Sequence, residues 1–215
     1  MGVADVVADT AIWLMRYDFV LEFSRPLMPN MILVGGMNCN FRKPLPEDLE
    51  TWVSSGEHGF VVFTLGSMLA SLPEELTTVF LSAFQLIPQK VLWRHAGVVP
   101  DNLPDNVKIM KWLPQNDLLA HPSARAFITH GGSHGIYEGV CHSVPMVMIP
   151  LGGEQADNVQ RLASRGVGVV LDMGGITVAS LLEVLDEVIN NTRWGICCSQ
   201  CDFNRLNIAS STPAF

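Results

Sequence analysis

The chain has 215 residues, 48% hydrophobic and 16% charged, and its 13 basic against 21 acidic side chains give a net charge of −8. That composition excludes a disordered chain and predicts a well-filled core, in one large domain or one and a half small ones. The acidic excess argues against nucleic acid as a partner, because a polyanion would be repelled, while a few local groups can still bind a small anion.

No run approaches the roughly 18 apolar residues that span a bilayer. Asp5 and Asp9 interrupt the N-terminal apolar stretch, and no basic residue precedes it, so neither a signal peptide nor a membrane anchor is expected. The cysteines Cys39, Cys141, Cys197, Cys198 and Cys201 are odd in number and clustered at the end. They make a poor disulfide framework, and the Cys-Cys-x-x-Cys group lacks a fourth nearby zinc ligand.

In chain order, residues 1–34 mix apolar stretches with scattered charge and end in a β-like run at 31–34. Gly35-Gly36 and a polar, proline-bearing stretch to about residue 58 read as a linker or surface loop. Residues 60–65, Phe-Val-Val-Phe-Thr-Leu, form the continuous apolar run of a strand buried on both faces. Residues 73–86, opening with Pro73, Glu74 and Glu75, predict a helix.

Strands are then expected at 91–94, 107–113, 126–129, 146–149 and 167–171. Helices are expected at 116–120, 133–141, 155–165 and 178–189. The alternation means βαβ units on a parallel sheet of about five strands, one doubly wound domain of the α/β class. The expected division is residues 1–58 as the end of a preceding domain plus linker, 59–192 as the Rossmann-like domain, and 193–215 as a poorly structured tail.

In such sheets ligands bind beyond the carboxyl ends of the strands. Strand 126–129 runs into His130-Gly-Gly-Ser-His-Gly135 and then a helix. Glycines that admit a close backbone, followed by free N–H groups and the positive end of a helix, describe a phosphate cradle. The same glycines also suit a tight strand–helix turn, and the spacing is not Gly-x-Gly-x-x-Gly, so dinucleotide binding is disfavoured. His130 and His134 flank the cradle across a loop rather than along one helical face, which disfavours a metal pair.

Glu138, one turn into the helix, can accept two sugar hydroxyls or simply favour the helix start. Trp112 can stack on a planar base or lie as a lid on the core, and Gln115 can bond a base edge or a sugar. Ser67 suits a phosphate contact or a helix cap. Arg94, ending a strand, neutralises a diphosphate or stays at the surface. Glu154 and Gln155 bond sugar hydroxyls or cap the next helix.

Singly these signals are weak, but their order is specific. Trp112-x-x-Gln115, His130-x-Gly132-x-His134-Gly135-x-x-Glu138 and Glu154-Gln155 together closely resemble the signature of the UDP-glycosyltransferases. Residues 60–67, 111–119 and 126–138 resemble the animal UDP-glucuronosyltransferase branch, and the resemblance covers residues 1–192.

The resemblance implies the donor-binding, Rossmann-like C-terminal domain of a two-domain GT-B enzyme. Trp112 would stack on uracil, and Gln115 and Glu138 would bind ribose. Ser67, Arg94, His130 and the backbone of Gly132, Ser133, His134 and Gly135 would hold the diphosphate. Glu154 and Gln155 would contact the sugar. It further implies inverting transfer without a metal or other cofactor, from a donor expected to be UDP-glucuronic acid, to a hydroxyl of a small lipophilic acceptor.

The acceptor, and the His/Asp pair that activates it, would belong to another domain. The expected alternative is a non-catalytic UDP-binding fragment that pairs with full-length relatives as a homo- or hetero-oligomer. A nicotinamide-dependent oxidoreductase is the more distant reading. The family resides in the endoplasmic reticulum membrane. Glu154 stands where the family usually has Asp, and the 193–215 tail matches nothing in the family, so it is expected to be a truncated or mis-spliced end.

Overall fold

The computed structural model describes residues 2–19, 21–37, 42–66, 69, 71–191 and 193–194. The chain forms two compact units, residues 1–37 and 38–215.

In the first unit a short helix, α1 (Val3–Ala8), precedes two parallel strands, β1 (Trp13–Met15) and β2 (Met31–Leu33), with Trp13 opposite Met31. Tyr17 and Leu21 are buried, but Ile12, Leu14, Phe23 and Ile32 are exposed. A two-stranded sheet with this much uncovered apolar surface is marginal by itself.

The second unit opens with α2 (Glu47–Ser54), inside the stretch expected to be a loop. Pro46 and three early acids favour a helix start. Leu49 and Val53, spaced i and i+4, are buried. Two apolar residues in a polar, proline-bearing segment are too short a stripe to register as periodicity. Lys90 Nζ donates to the Trp52 carbonyl at 2.7 Å, and Glu50 Oε1 lies 3.2 Å from His121 Nε2. His121 Nδ1 accepts from Ser123 N–H at 3.1 Å, so its proton sits on Nε2 and points at Glu50.

Six parallel strands follow, one at each expected place: β3 (Phe60–Thr64), β4 (Lys90–Arg94), β5 (Val107–Met110), β6 (Ala124–Thr129), β7 (Met146–Met148) and β8 (Gly168–Val170). Their spatial order is β5-β4-β3-β6-β7-β8, all parallel. The winding direction reverses between β3 and β6.

The crossovers are α3 (Glu74–Phe84), α4 (Gln115–Leu119), α5 (Ser133–Cys141) and α6 (Gln155–Ser164), and α7 (Val178–Asn190) closes the fold. α3 and α7 pack together on one face of the sheet. There Phe63, Phe80, Phe84 and Trp93 nest with ring centroids 4.6–6.2 Å apart. Phe60, Val62, Leu92 and Phe127 alternate with that cluster along their strands and face the other side. α4 and α5 pack on β3 and β6. Burial on both faces is why these strands read as unbroken apolar runs.

Trp194, in the segment expected to lack structure, is buried in the α3–α7 cluster, and its Nε1–H donates to Glu187 at 3.2 Å. The Cys-Cys-x-x-Cys group and the rest of the tail, 195–215, lie outside the described residues. Cys141 is disulfide-bonded, although the odd and clustered cysteines read as a poor disulfide framework. No described helix is long and apolar enough to cross a membrane.

Candidate functional site

Thr64 and Thr129 end the two central strands side by side, as register partners at the point where the winding reverses. Each threonine is followed two residues later by a glycine at φ +81°, Gly66 and Gly131. Thr64 Oγ1 accepts from Gly66 N–H at 3.2 Å, and Thr129 Oγ1 accepts from Gly131 N–H at 3.4 Å. These twin turns peel the chain away from the sheet and open a crevice between them, where doubly wound folds bind ligands. Sequence reading passed over both threonines because the strand runs absorbed them.

The crevice is a cleft of about 550 Å³. It brings together Arg94, Trp112, Gln115, His130, Gly132, Ser133, His134, Gly135 and Glu138, all from the expected set, and adds Thr64, Asn116, Asp117 and Thr129. Glu154 and Gln155 are outside its lining. They open α6, and Gln155 Oε1 accepts from Leu151 N–H at 2.8 Å, while Glu154 makes no side-chain cap. Ser67 lies outside the described residues.

One wall is the start of α5. Gly132 is its N-cap residue and Ser133 its first helical residue, and no acid stands in its first turn. Its partial positive charge therefore meets no carboxylate there.

The glycines before it have structural duties. A Cβ on Gly132 would lie 2.4 Å from His130 Nε2, and one on Gly66 would lie 2.7 Å from the same atom, so the imidazole is seated between the two loops. A Cβ on Gly131 would strike Val159 Cγ1 at 2.3 Å. Tight packing and an open backbone are satisfied by the same residues. Burial pushes the His130 pKa down, opposed by the Glu154 charge, so the ring is neutral at pH 7. Its Nδ1 is buried without a hydrogen-bond partner among the described residues.

The opposite wall carries Arg94, whose NH1 donates to the Gly66 carbonyl and whose guanidinium stands 5.9 Å from the Trp112 ring. β5 ends at Met110, three residues short of the expected boundary, so Trp112 projects from a bend and is 70% exposed. It is not a lid on the core.

α4 and α5 are joined by two polar pairs. Gln115 Nε2 donates to Glu138 Oε2, and His142 Nε2 donates to Asn116 Oδ1 at 2.8 Å. Gln115 and Asn116 are adjacent, and Glu138 and His142 stand one turn apart, so α4 is held in one rotation against α5. No group of three or more metal-ligating side chains occurs among the described residues.

Residues 1–195 match the family model "UDP-glucoronosyl and UDP-glucosyl transferase". The chain is 52% identical over 192 residues to UDP-glucuronosyltransferase 1-2 of Rattus norvegicus, covering 89% of this chain and 36% of that protein. It is 55% identical over 188 residues to UDP-glucuronosyltransferase 1A7 of Mus musculus, covering 87% and 35%. It thus spans about a third of the length of these relatives.

Among solved structures, the calicheamicin glycosyltransferase CalG4 superposes with a TM-score of 0.64 at 24% identity, over 72% of this chain and 41% of that one. The glycosyltransferase of kitacinnamycin superposes with a TM-score of 0.63 at 23% identity, over 76% and 41%. The fold is the Rossmann-like half of a GT-B glycosyltransferase, and the chain belongs to the UDP-glucuronosyl and UDP-glucosyl transferase family.

Proposed function

We propose that the cleft is the donor site of a UDP-glycosyltransferase, binding a UDP-sugar for transfer to a hydroxyl of a small lipophilic acceptor. The observation that carries this reading is the convergence, at the winding reversal, of an exposed aromatic plane, a paired amide and carboxylate, a guanidinium and an uncompensated helix N-terminus. Each matches one part of a nucleoside diphosphate. Trp112 stacks on the base. Gln115 and Glu138 take the ribose hydroxyls, with Glu138 as acceptor. Arg94 and the N–H groups at Gly132 and Ser133 meet the diphosphate.

His130, seated between the two cradle loops, serves as a spacer or hydrogen-bonding partner of that diphosphate. Glu154 and Gln155, which open α6 outside the cleft lining, are assigned to the sugar by the resemblance alone, and UDP-glucuronic acid is the proposed donor. The chemistry needs no bound metal: positive charge from Arg94 and the α5 dipole stabilises the leaving diphosphate as the glycosidic bond to it breaks. The proton of the acceptor hydroxyl goes to a base on an acceptor-binding domain, which the resemblance places outside the donor half. The family's location, the endoplasmic reticulum membrane, is carried over in the same sense.

Calorimetric titration of the 215-residue chain with UDP, UDP-glucuronic acid, UDP-glucose and NAD tests the reading. UDP and one UDP-sugar should bind more tightly than NAD. Preference for NAD would overturn it.

A further inference from the structure

α6 contributes nothing to the cleft lining, yet its buried Asn158 reaches the phosphate cradle. Asn158 Nδ2 donates to the Gly131 carbonyl at 3.0 Å, in a setting where Asn158 is only 4% exposed. The amide is not free to turn over. Arg161 NH2 donates to Asn158 Oδ1, and a guanidinium has donors only, so the oxygen must face Arg161 and the NH₂ must face Gly131. Arg161 is itself buried, with Nε 3.4 Å from Asp157 Oδ2.

The carbonyl of Gly131 and the N–H of Gly132 belong to one trans peptide unit, so they point in opposite directions. With the carbonyl held toward α6 and the core, the Gly132 N–H is turned the other way, and Gly132 lines the cleft. The neighbouring peptide is held too, since Thr129 Oγ1 accepts from Gly131 N–H. Gly131, at φ +81° and lacking a Cβ, would otherwise let the following peptide rotate freely. The twin turn at Gly66 is built the same way, with its N–H on Thr64 and its carbonyl on Arg94.

We infer that Asn158 is a positioning residue for nucleoside-diphosphate recognition: clamped by Arg161, it holds the Gly131 carbonyl inward and so presents the Gly132 N–H to an anionic phosphate oxygen. This rests on the donor-site reading above and adds to it a residue that never touches the ligand. Its effect belongs to the phosphates alone, because base and ribose are met by Trp112, Gln115 and Glu138 on other elements.

The test compares UDP with uridine, which lacks the phosphates, on the full 215-residue chain and on Asn158→Asp. The aspartate keeps the size and the Arg161 contact but offers Gly131 no donor and repels its carbonyl. UDP affinity should fall roughly 10- to 100-fold, the range for one hydrogen bond to a charged group, while uridine affinity stays as in the parent chain. Equal losses for both ligands would show a merely structural role and overturn the inference, as would unchanged UDP affinity.

If Asn158→Asp does not fold, the parent chain decides. The Gly132 amide resonance should shift on saturation with UDP and stay in place with uridine, and a Gly132 amide unmoved by bound UDP overturns the inference. A parent chain that binds UDP alongside an equally competent variant defeats only the role of Asn158. A parent chain that binds no UDP defeats the donor-site reading and this inference with it.

Discussion

A single methyl group separates the glycines of this chain, those in the cleft from those outside it, by what they do. On Gly132 it would meet His130 Nε2 at 2.4 Å, and on Gly175 it would meet nothing within 4 Å. Gly132→Ala should therefore push the imidazole out of its seat, lower stability by about 1–3 kcal/mol and weaken UDP binding. Gly175→Ala should leave both unchanged. Urea unfolding and calorimetry of the two variants check this.

Trp112 offers the opposite case. At 70% exposure it supports no core, so Trp112→Ala should keep the parent stability while costing about 1–3 kcal/mol of UDP affinity, the usual worth of a base stacked on an aromatic plane. A loss of stability with no loss of affinity would make Trp112 a packing residue after all. Arg94→Ala should weaken UDP binding more than Arg125→Ala, because Arg125 lies at the start of β6, the far end of the sheet from the cleft.

Between elements, the polar joints matter more than their number suggests. Asn106 Nδ2 donates to the carbonyls of Phe84, Ile87 and Gln89, at 2.7, 3.2 and 2.9 Å, and so ties the α3–β4 turn to the start of β5. Asn106→Ala leaves three part-buried carbonyls without that donor and should cost about 1–3 kcal/mol in urea unfolding, with UDP affinity unchanged in the folded protein. The α4–α5 joint works differently: it orients Gln115 and Glu138 for the cleft, so its loss should appear in binding before it appears in stability.

For the molecule as a whole, one buried and two half-buried histidines set an acid limit. Burial lowers the pKa of His95, His130 and His142 from the ordinary 6.5. A lowered folded-state value means the unfolded chain binds protons first. The stability these residues allow is fully present above about pH 6.5 and is lost as pH falls through that value toward the lowered ones. The urea midpoint should therefore drop between about pH 7.5 and about pH 5.5, and a flat profile would contradict the assigned burial.

At the same scale, the 215-residue chain incubated with UDP-glucuronic acid and a phenolic acceptor should form no glycoside detectable by mass spectrometry. Transfer needs a base within hydrogen-bond reach of the acceptor and a cleft that orients the two substrates. Product above a Trp112→Ala control would reveal a base among these residues.

The sequence alone determined the α/β class, the parallel sheet and the order of its helices. Continuous apolar runs such as residues 60–64 and the stripe of α7 record burial directly, so α5 is found at Ser133–Cys141, where the spacing put it. The motif order from Trp112 to Gln155 likewise carried the family, because chemistry there demands residue types at set intervals.

Only the tertiary structure decided the rest. α2 was hidden because its stability comes from Leu49, Val53 and contacts with His121 and Lys90, not from a stripe long enough to read. Trp194 looked like tail until its ring was found in the core. Thr64 and Thr129 become partners only when β3 and β6 pair across 65 residues of chain. Asn158 meets Gly131 only when α6 folds back on the cradle loop. Periodicity and motif spacing are local properties of the chain, whereas a hydrogen bond between distant residues exists only once packing has brought donor and acceptor together and removed the water that would otherwise satisfy both.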